Sequence, residues 1–274
     1  MKLTQLSVTL VTLQLTLLSG AAHAAPATKQ DSAEKGYNIA VALDTRDAGF
    51  KDSSATLSMI LKNGQGSQTL RELDIKVLEN TEEGDKSLIK FDFPADIKGT
   101  SLLTHPLRAS TDDQWLFLPA VNRTKRISSR NKSGAFMGSE FSFEDMTNKN
   151  IEDYTYNFIA TEPCNNATAD SATTTCDVIE RFPVDKHSGY SKQKMWIEQA
   201  DKKIYKIEYY DRKNTLLKVF TATDFKLYDN KYWRANKVEM HNVQTNKATA
   251  LKYRSIQFAQ GLTDREFHRS SLGE

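Results

Sequence analysis

Ser54-Ala55-Thr56-Leu57-Ser58-Met59-Ile60-Leu61 carries an apolar side chain at every second position, with Ala55, Leu57, Met59 and Leu61 set against Ser54, Thr56 and Ser58. A period of two puts these sets on opposite faces of an extended chain, the pattern of a half-buried strand. Gly64-Gln65-Gly66 then turns the chain, and Leu73, Ile75 and Val77 alternate with Glu72, Asp74 and Lys76 on the return. The spacing predicts an antiparallel hairpin.

The same rhythm continues outward. Short strands are predicted over Leu88 to Phe93, Ser101 to Arg108, Gln114 to Pro119 and Arg123 to Ser128, separated by Pro, Gly, Asp or Asn. Further strands are predicted over Tyr154 to Ala160, Asp177 to Phe182, Met195 to Gln199 and Ile204 to Tyr210, then Leu216 to Tyr228, Trp233 to Gln244 and Thr249 to Phe258. One helix is expected over Asp31 to Ala48, with Asp31 and Glu34 as a capping box and Gly49 as its stop. Eleven or more antiparallel strands with few helices predict a mainly β (α+β) chain: one large curved sheet or incomplete β-barrel. No Gly/Ser-rich or Pro-rich linker divides it, so residues 25–274 are expected to form one domain.

Composition narrows the function. The chain has 274 residues, 37 Lys and Arg against 35 Asp and Glu, and 39% hydrophobic residues. A formal charge of +2 gives no electrostatic surplus for a polyanion, which argues against nucleic-acid binding. At the N-terminus, Lys2 precedes an apolar run from Leu6 to Leu18 and the small-residue sequence Ala22-His23-Ala24. These are the three parts of a secretory signal peptide, residues 1–24, with cleavage expected after Ala24. The run is short for a spanning helix, which needs ~20 residues. Cys164 and Cys176, the only cysteines, flank a polar segment without a large apolar residue. In an exported chain that pattern reads as a disulfide, stabilising by roughly 3 kcal/mol in the chain-entropy account.

Chemistry-bearing motifs are sparse. His105, His187, His241 and His268 are scattered, no HExxH or His/Cys cluster offers a metal its ligands, and no GxSxG elbow occurs. Asp112-Asp113 and Glu144-Asp145 are adjacent carboxylates, which a strand would point to opposite faces. No metal, cofactor or catalytic residue is therefore expected. Two stretches stand out instead. Asn131 to Met146 places Phe136, Met137, Phe141, Phe143 and Met146 in a Gly/Ser-rich frame that is either an adaptable cover for an apolar cavity or a plug for one end of the sheet. Arg123-Thr124-Lys125-Arg126 is the densest basic run. It reads either as a protected strand edge or as a docking site for acidic head groups or an acidic partner.

Trp115 to Ala120, Lys125 to Ser129, and Phe136-Met137-Gly138-Ser139 leading to Phe143-Glu144-Asp145-Met146 together resemble the LolA-like outer-membrane lipoprotein-sorting proteins. Phe91 to Thr100 and Gly49 to Asp52 fit the same family, and the resemblance runs from about Asp47 to the C-terminus. It implies an incomplete antiparallel barrel with a few helices closing its concave side over a hydrophobic cavity. It also implies a non-enzymatic, monomeric periplasmic carrier of lipid or lipoprotein acyl chains with transient membrane contact. The branch resembled is linked with resistance-nodulation-division-type lipid exporters of the inner membrane, so an accessory or sensor subunit docking there is the alternative. The expected cavity residues are Leu57, Met59, Leu73, Ile75, Trp115 and Phe117 from the strands, with Phe136, Met137, Phe141 and Phe143 from the cover. Arg123, Lys125 and Arg126 are the expected docking residues.

Overall fold

A computed structural model describes residues 29–107, 112–147, 150–164 and 174–273. The signal peptide, its cleavage after Ala24 and most of the polar segment between the cysteines lie outside these residues. Helix α1 spans Lys29–Asp47. It already includes Lys29, so Asp31 sits in its first turn, where a carboxylate favours the helix dipole, and not at the cap expected for it. Gly49, at φ +93°, follows the last turn as the stop the sequence predicts.

Thirteen strands follow: β1 (Asp52–Lys62), β2 (Gln68–Leu78), β3 (Lys86–Phe93), β4 (Ser101–His105), β5 (Asp113–Leu118), β6 (Arg123–Ile127), β7 (Tyr154–Pro163), β8 (Thr175–Pro183), β9 (Tyr190–Glu198), β10 (Ile204–Asp211), β11 (Leu216–Tyr228), β12 (Tyr232–Asn242) and β13 (Lys247–Phe258). The opening hairpin forms with Leu57 opposite Leu73 and Met59 opposite Arg71. Its turn is held by the Asn63 side chain, which accepts from the Gln65 and Ser67 amides at 3.0 and 2.9 Å.

All thirteen strands join one antiparallel sheet in the order β6-β5-β4-β3-β2-β1-β13-β12-β11-β10-β9-β8-β7. Every neighbour is sequential except β1 and β13, which pair from Ser53 with Phe258 to Lys62 with Ala248. The sheet does not close on itself. Its edges, β6 and β7, are consecutive in the chain, and the segment joining them runs across the inner face. Where a few helices were expected there, α1 is the one α-helix among the described residues, and the connecting segment uses short 3-10 turns such as Phe143–Met146.

The inner face carries the main core, with Leu57, Met59, Leu73, Phe91, Leu102, Leu116, Ile179, Met195, Ile207 and Met240 buried there. On the outer face of the other half, Cys164 and Cys176 are disulfide-bonded with their Cα atoms 5.0 Å apart, and they pack with Val178 and Trp196.

Helix α1 packs on edge strand β7 and also touches β8 and β12. Because β9, β10 and β11 lie between β8 and β12 in the sheet, the helix spans a stretch of inner face that it contacts at most sparsely. Its seat on β7 is close. The Ser32 hydroxyl donates to the Phe158 carbonyl at 2.7 Å, and a Cβ at Gly36 would stand 2.8 Å from the Asn157 carbonyl carbon. Helix and edge strand thus protect each other from stray pairing. Gly36→Val is expected to lower stability by about 1–3 kcal/mol, as overpacking does, and to speed amide exchange selectively over residues 29–47. Exchange unchanged in that segment would contradict this seating.

Candidate functional site

The segment from β6 to β7 crosses the inner face as a pinned plug. Phe136 is fully buried, with its ring 5.7 Å from that of Phe91 and 5.6 Å from that of Phe143. Its turn folds on itself: the Phe136 amide donates to the Phe141 carbonyl at 2.7 Å, and the Ser139 hydroxyl donates to the Phe136 carbonyl at 2.7 Å. Anchors come from six strands. Arg71 on β2 donates to the Met137 carbonyl, and Gln114 on β5 donates to that of Phe143 at 3.0 Å. Thr249 on β13 accepts from the Glu140 amide at 3.0 Å, and Asn242 on β12 donates to the Glu140 carboxylate at 2.8 Å.

The strongest anchors are on β9 and β11. Lys218 reaches the Asp145 carboxylate at 2.7 Å with both side chains only 5% exposed, and also donates to the Glu140 carbonyl at 2.9 Å. Tyr190 donates to Asp145 at 2.9 Å, and the Ser142 amide and hydroxyl each donate to it at 2.7 Å. Burial alone would raise the Asp145 carboxyl, but the Lys218 ammonium and the Ser142 hydrogen bonds outweigh it and hold the group below its ordinary range. The Tyr190 and Tyr209 hydroxyls are pushed well above their ordinary value, by burial first and then by the Asp145 charge. Both oxygens of this buried carboxylate have donors, which is the condition for tolerating a buried ion pair.

Beyond the plug, under this span of α1, lies a cavity of about 480 Å³. Its floor is largely apolar, with Ile179 from β8, Met195 from β9, Ile207 from β10, Phe220 and Ala222 from β11, and Val238 from β12, and with Arg181 and Tyr209 beside them. Ala40 and Leu43 of α1 form the roof, and Phe141 of the plug forms one wall. The mouth is polar, framed by the C-terminal turn of α1 and by the β9–β10 and β11–β12 turns. Arg46 donates to the Lys231 carbonyl at 2.6 Å and stands 4.0 Å from Asp201, while Asp47 pairs with Arg234.

Of the ten residues expected to line a cavity, the structure brings Phe141 to it. Leu57, Met59 and Leu73 are buried on the inner face, with Ile75 packed beside them, but none of them lines the cavity. Phe136, Met137 and Phe143 belong to the plug itself. Trp115 and Phe117 lie on the outer face, a correction that follows from register: Leu116, opposite Leu102, and Gln114, opposite Thr104, are the inward residues of β5. The C-terminal segment covers the outward pair. His105 and Arg269 pack on Trp115 at 5.2 and 6.0 Å, and Phe117 leaves no room for a Cβ at Gly273. The basic run also divides. Arg123 and Lys125, exposed, share the inward side of edge strand β6, whereas Arg126 is outward and paired with Asp113. The lining of β10 to β12 was not foreseen. One signal for it exists in the sequence: Ala222 is a small inward residue among large ones.

A family model described as an uncharacterized protein matches residues 83–274. A crystal structure described as an outer-membrane lipoprotein-sorting protein domain, from Vibrio parahaemolyticus, is 45% identical over 88% of this chain and 99% of its own, with a TM-score of 0.83. A DUF1329 family protein from Desulfovibrio piger is 28% identical over 88% and 99%, with a TM-score of 0.81. A LolA superfamily protein from Nitrosomonas europaea, 20% identical over 90% of this chain and 100% of its own, shares the fold at a TM-score of 0.65. No curated protein matches the sequence. The fold is LolA-like, as the sequence resemblance implies, and the disulfide fits an oxidising compartment.

The buried pair sets a pH dependence. Because Asp145 is held below its ordinary range in the folded chain, its contribution is complete above the unfolded carboxylate value of about 3.9 and is lost as pH falls through the depressed folded value. Urea midpoints are expected to drop on acidification, and Asp145→Asn should flatten that limb. Lys218→Met leaves the carboxylate buried without its counter-ion, at about 3–5 kcal/mol. A variant as stable as the wild type would show that the pair does not anchor the plug.

Proposed function

The chain belongs to the DUF1329 family of LolA-like proteins, and on that footing we propose that it is a periplasmic carrier that shelters an acyl chain of a lipid or lipoprotein between the inner and outer membranes. The observation that carries this reading is the cavity beneath α1, apolar at its floor and charged at its mouth. The described relative associated with lipoprotein sorting supports it. Such a role needs no bond-making residue, only a dry space and a way to open it.

Energy and geometry agree on how that would work. Burying a 16-carbon chain at ~0.8 kcal/mol per methylene gives roughly 12 kcal/mol before costs, enough to keep a lipid in solution. The plug is bound to six strands and carries a buried ion pair, so it serves as fixed wall. Helix α1 buries only Gly36, Ile39 and Ala40, and its last turn is held at the mouth by partly exposed ion pairs worth about 0–1 kcal/mol each. The helix is therefore the cover that lifts, and a partner or a competing membrane would drive release.

Native mass spectrometry of protein exported in a Gram-negative host, followed by lipid extraction, tests the reading. A stoichiometric acyl-bearing lipid is expected, and Val238→Trp, which fills the cavity from its floor at a partly buried position, should remove it while the fold is kept. A lipid-free wild type that also rejects added lipids would end the carrier reading. Docking on an inner-membrane exporter of the resistance-nodulation-division type is a second reading, favoured by the exposed Arg123 and Lys125 on an edge strand. Charge reversal at both should weaken association with such a transporter and leave lipid binding unchanged; association that survives it would count against this face.

A further inference from the structure

The mouth of the cavity has more to say about its guest than the floor does. Six basic side chains line the cavity against four acidic ones. Most are matched. Asp145 is taken by Lys218, Asp47 by Arg234, Asp201 lies 3.3 Å from Lys203 and 4.0 Å from Arg46, and Asp44, on the last turn of α1, is not without a partner either. Arg181 spends its guanidinium on Gln193 at 2.7 Å and on the Tyr154 ring at 4.3 Å. Two ammonium groups form no ion pair among the described residues. Lys202, in the β9–β10 turn, donates to the Gln199 carbonyl at 2.7 Å. Lys231, in the β11–β12 turn, donates to the Ala48 carbonyl at 2.7 Å. They come from the two turns that frame the mouth, and both line the cavity.

The volume limits the apolar part. A methylene group takes up much the same space as a molecule of liquid water, ~30 Å³, so 480 Å³ matches the volume of one acyl chain. An apolar slot for one chain, opening between two cations that lack a carboxylate, is complementary to one chain ending in negative charge. We propose that the cavity takes a single-chain amphiphile with an anionic head group, a carboxylate or a phosphate monoester, seated between Lys202 and Lys231. This rests on the carrier reading and names the guest's chemistry within it.

Delipidated protein titrated with palmitate, with palmitoyl-lysophosphatidic acid and with neutral monopalmitoylglycerol, all below their critical micelle concentrations, tests the proposal through the fluorescence of Trp233 at the cavity wall. Both anionic probes are expected to bind about tenfold more tightly than the neutral one, with the advantage shrinking as salt is raised. If only one of the two gains, that head group is the one recognised. In Lys202→Gln/Lys231→Gln, the anionic advantage should vanish and binding of the neutral probe should stay as in the wild type. Both lysines are in surface turns, and an unchanged thermal midpoint confirms that the variant is folded. Equal binding of all three probes to the wild type, or an anionic advantage that survives the double substitution, overturns this inference and leaves the carrier reading standing. Binding of none of them to folded wild type overturns both.

Discussion

Two strands that follow one another in the chain, β6 and β7, lie at opposite edges of a thirteen-stranded sheet. The chain between them has to cross the inner face, and whatever it carries fills the space that closing the barrel would otherwise have used. Backbone that crosses a core needs partners for its amides and carbonyls. Here side chains from six strands supply them, with the Asp145–Lys218 pair at the centre. The crossing divides the inner face into a half packed by Phe136, Phe141 and Phe143 and a half where only α1 lies overhead. The cavity is a consequence of that division.

The two halves differ in the interactions that cover them. The plug is held by buried, charge-assisted hydrogen bonds, which are strong and fail badly when one member is removed. The cover is held by a close backbone approach at Gly36 and by screened ion pairs at its far end. On the carrier reading, a rigid wall beside a lightly held roof is what would let a guest enter without unfolding the core. The disulfide and Trp196 brace the outer face of the β8–β10 half, behind the cavity floor.

Much of this is legible in the sequence because an antiparallel sheet with one wet face writes itself as alternation. The strands of the opening hairpin, the long strands near the C-terminus and the cysteine pair all follow from local pattern. At β5 the pattern fails for a physical reason. Gln114-Trp115-Leu116-Phe117-Leu118 is apolar at both parities, since the plug covers one side and the C-terminal segment covers the other, so periodicity no longer names the inner face. The cavity escaped for a different reason. Leu57, Met59 and Leu73 do point inward, but whether an inward side chain meets a guest or another part of its own chain depends on contacts far along the sequence. The split of Arg126 from Arg123 and Lys125, by contrast, follows from period two alone.

The pairing of β1 with β13 joins residues some two hundred positions apart, as with Ser53 and Phe258, while every other rung of the sheet joins neighbours in the chain. Loop-closure entropy and contact order are therefore concentrated in one seam. On either side of it stand two meanders, β1 to β6 and β7 to β13, each built from local hairpins. The cavity floor lies wholly within the second meander, and α1, which precedes the first, is the piece brought over from the other side. The cavity is thus an interface between the helix and the second meander, two parts of the chain that the whole of the first meander separates in sequence.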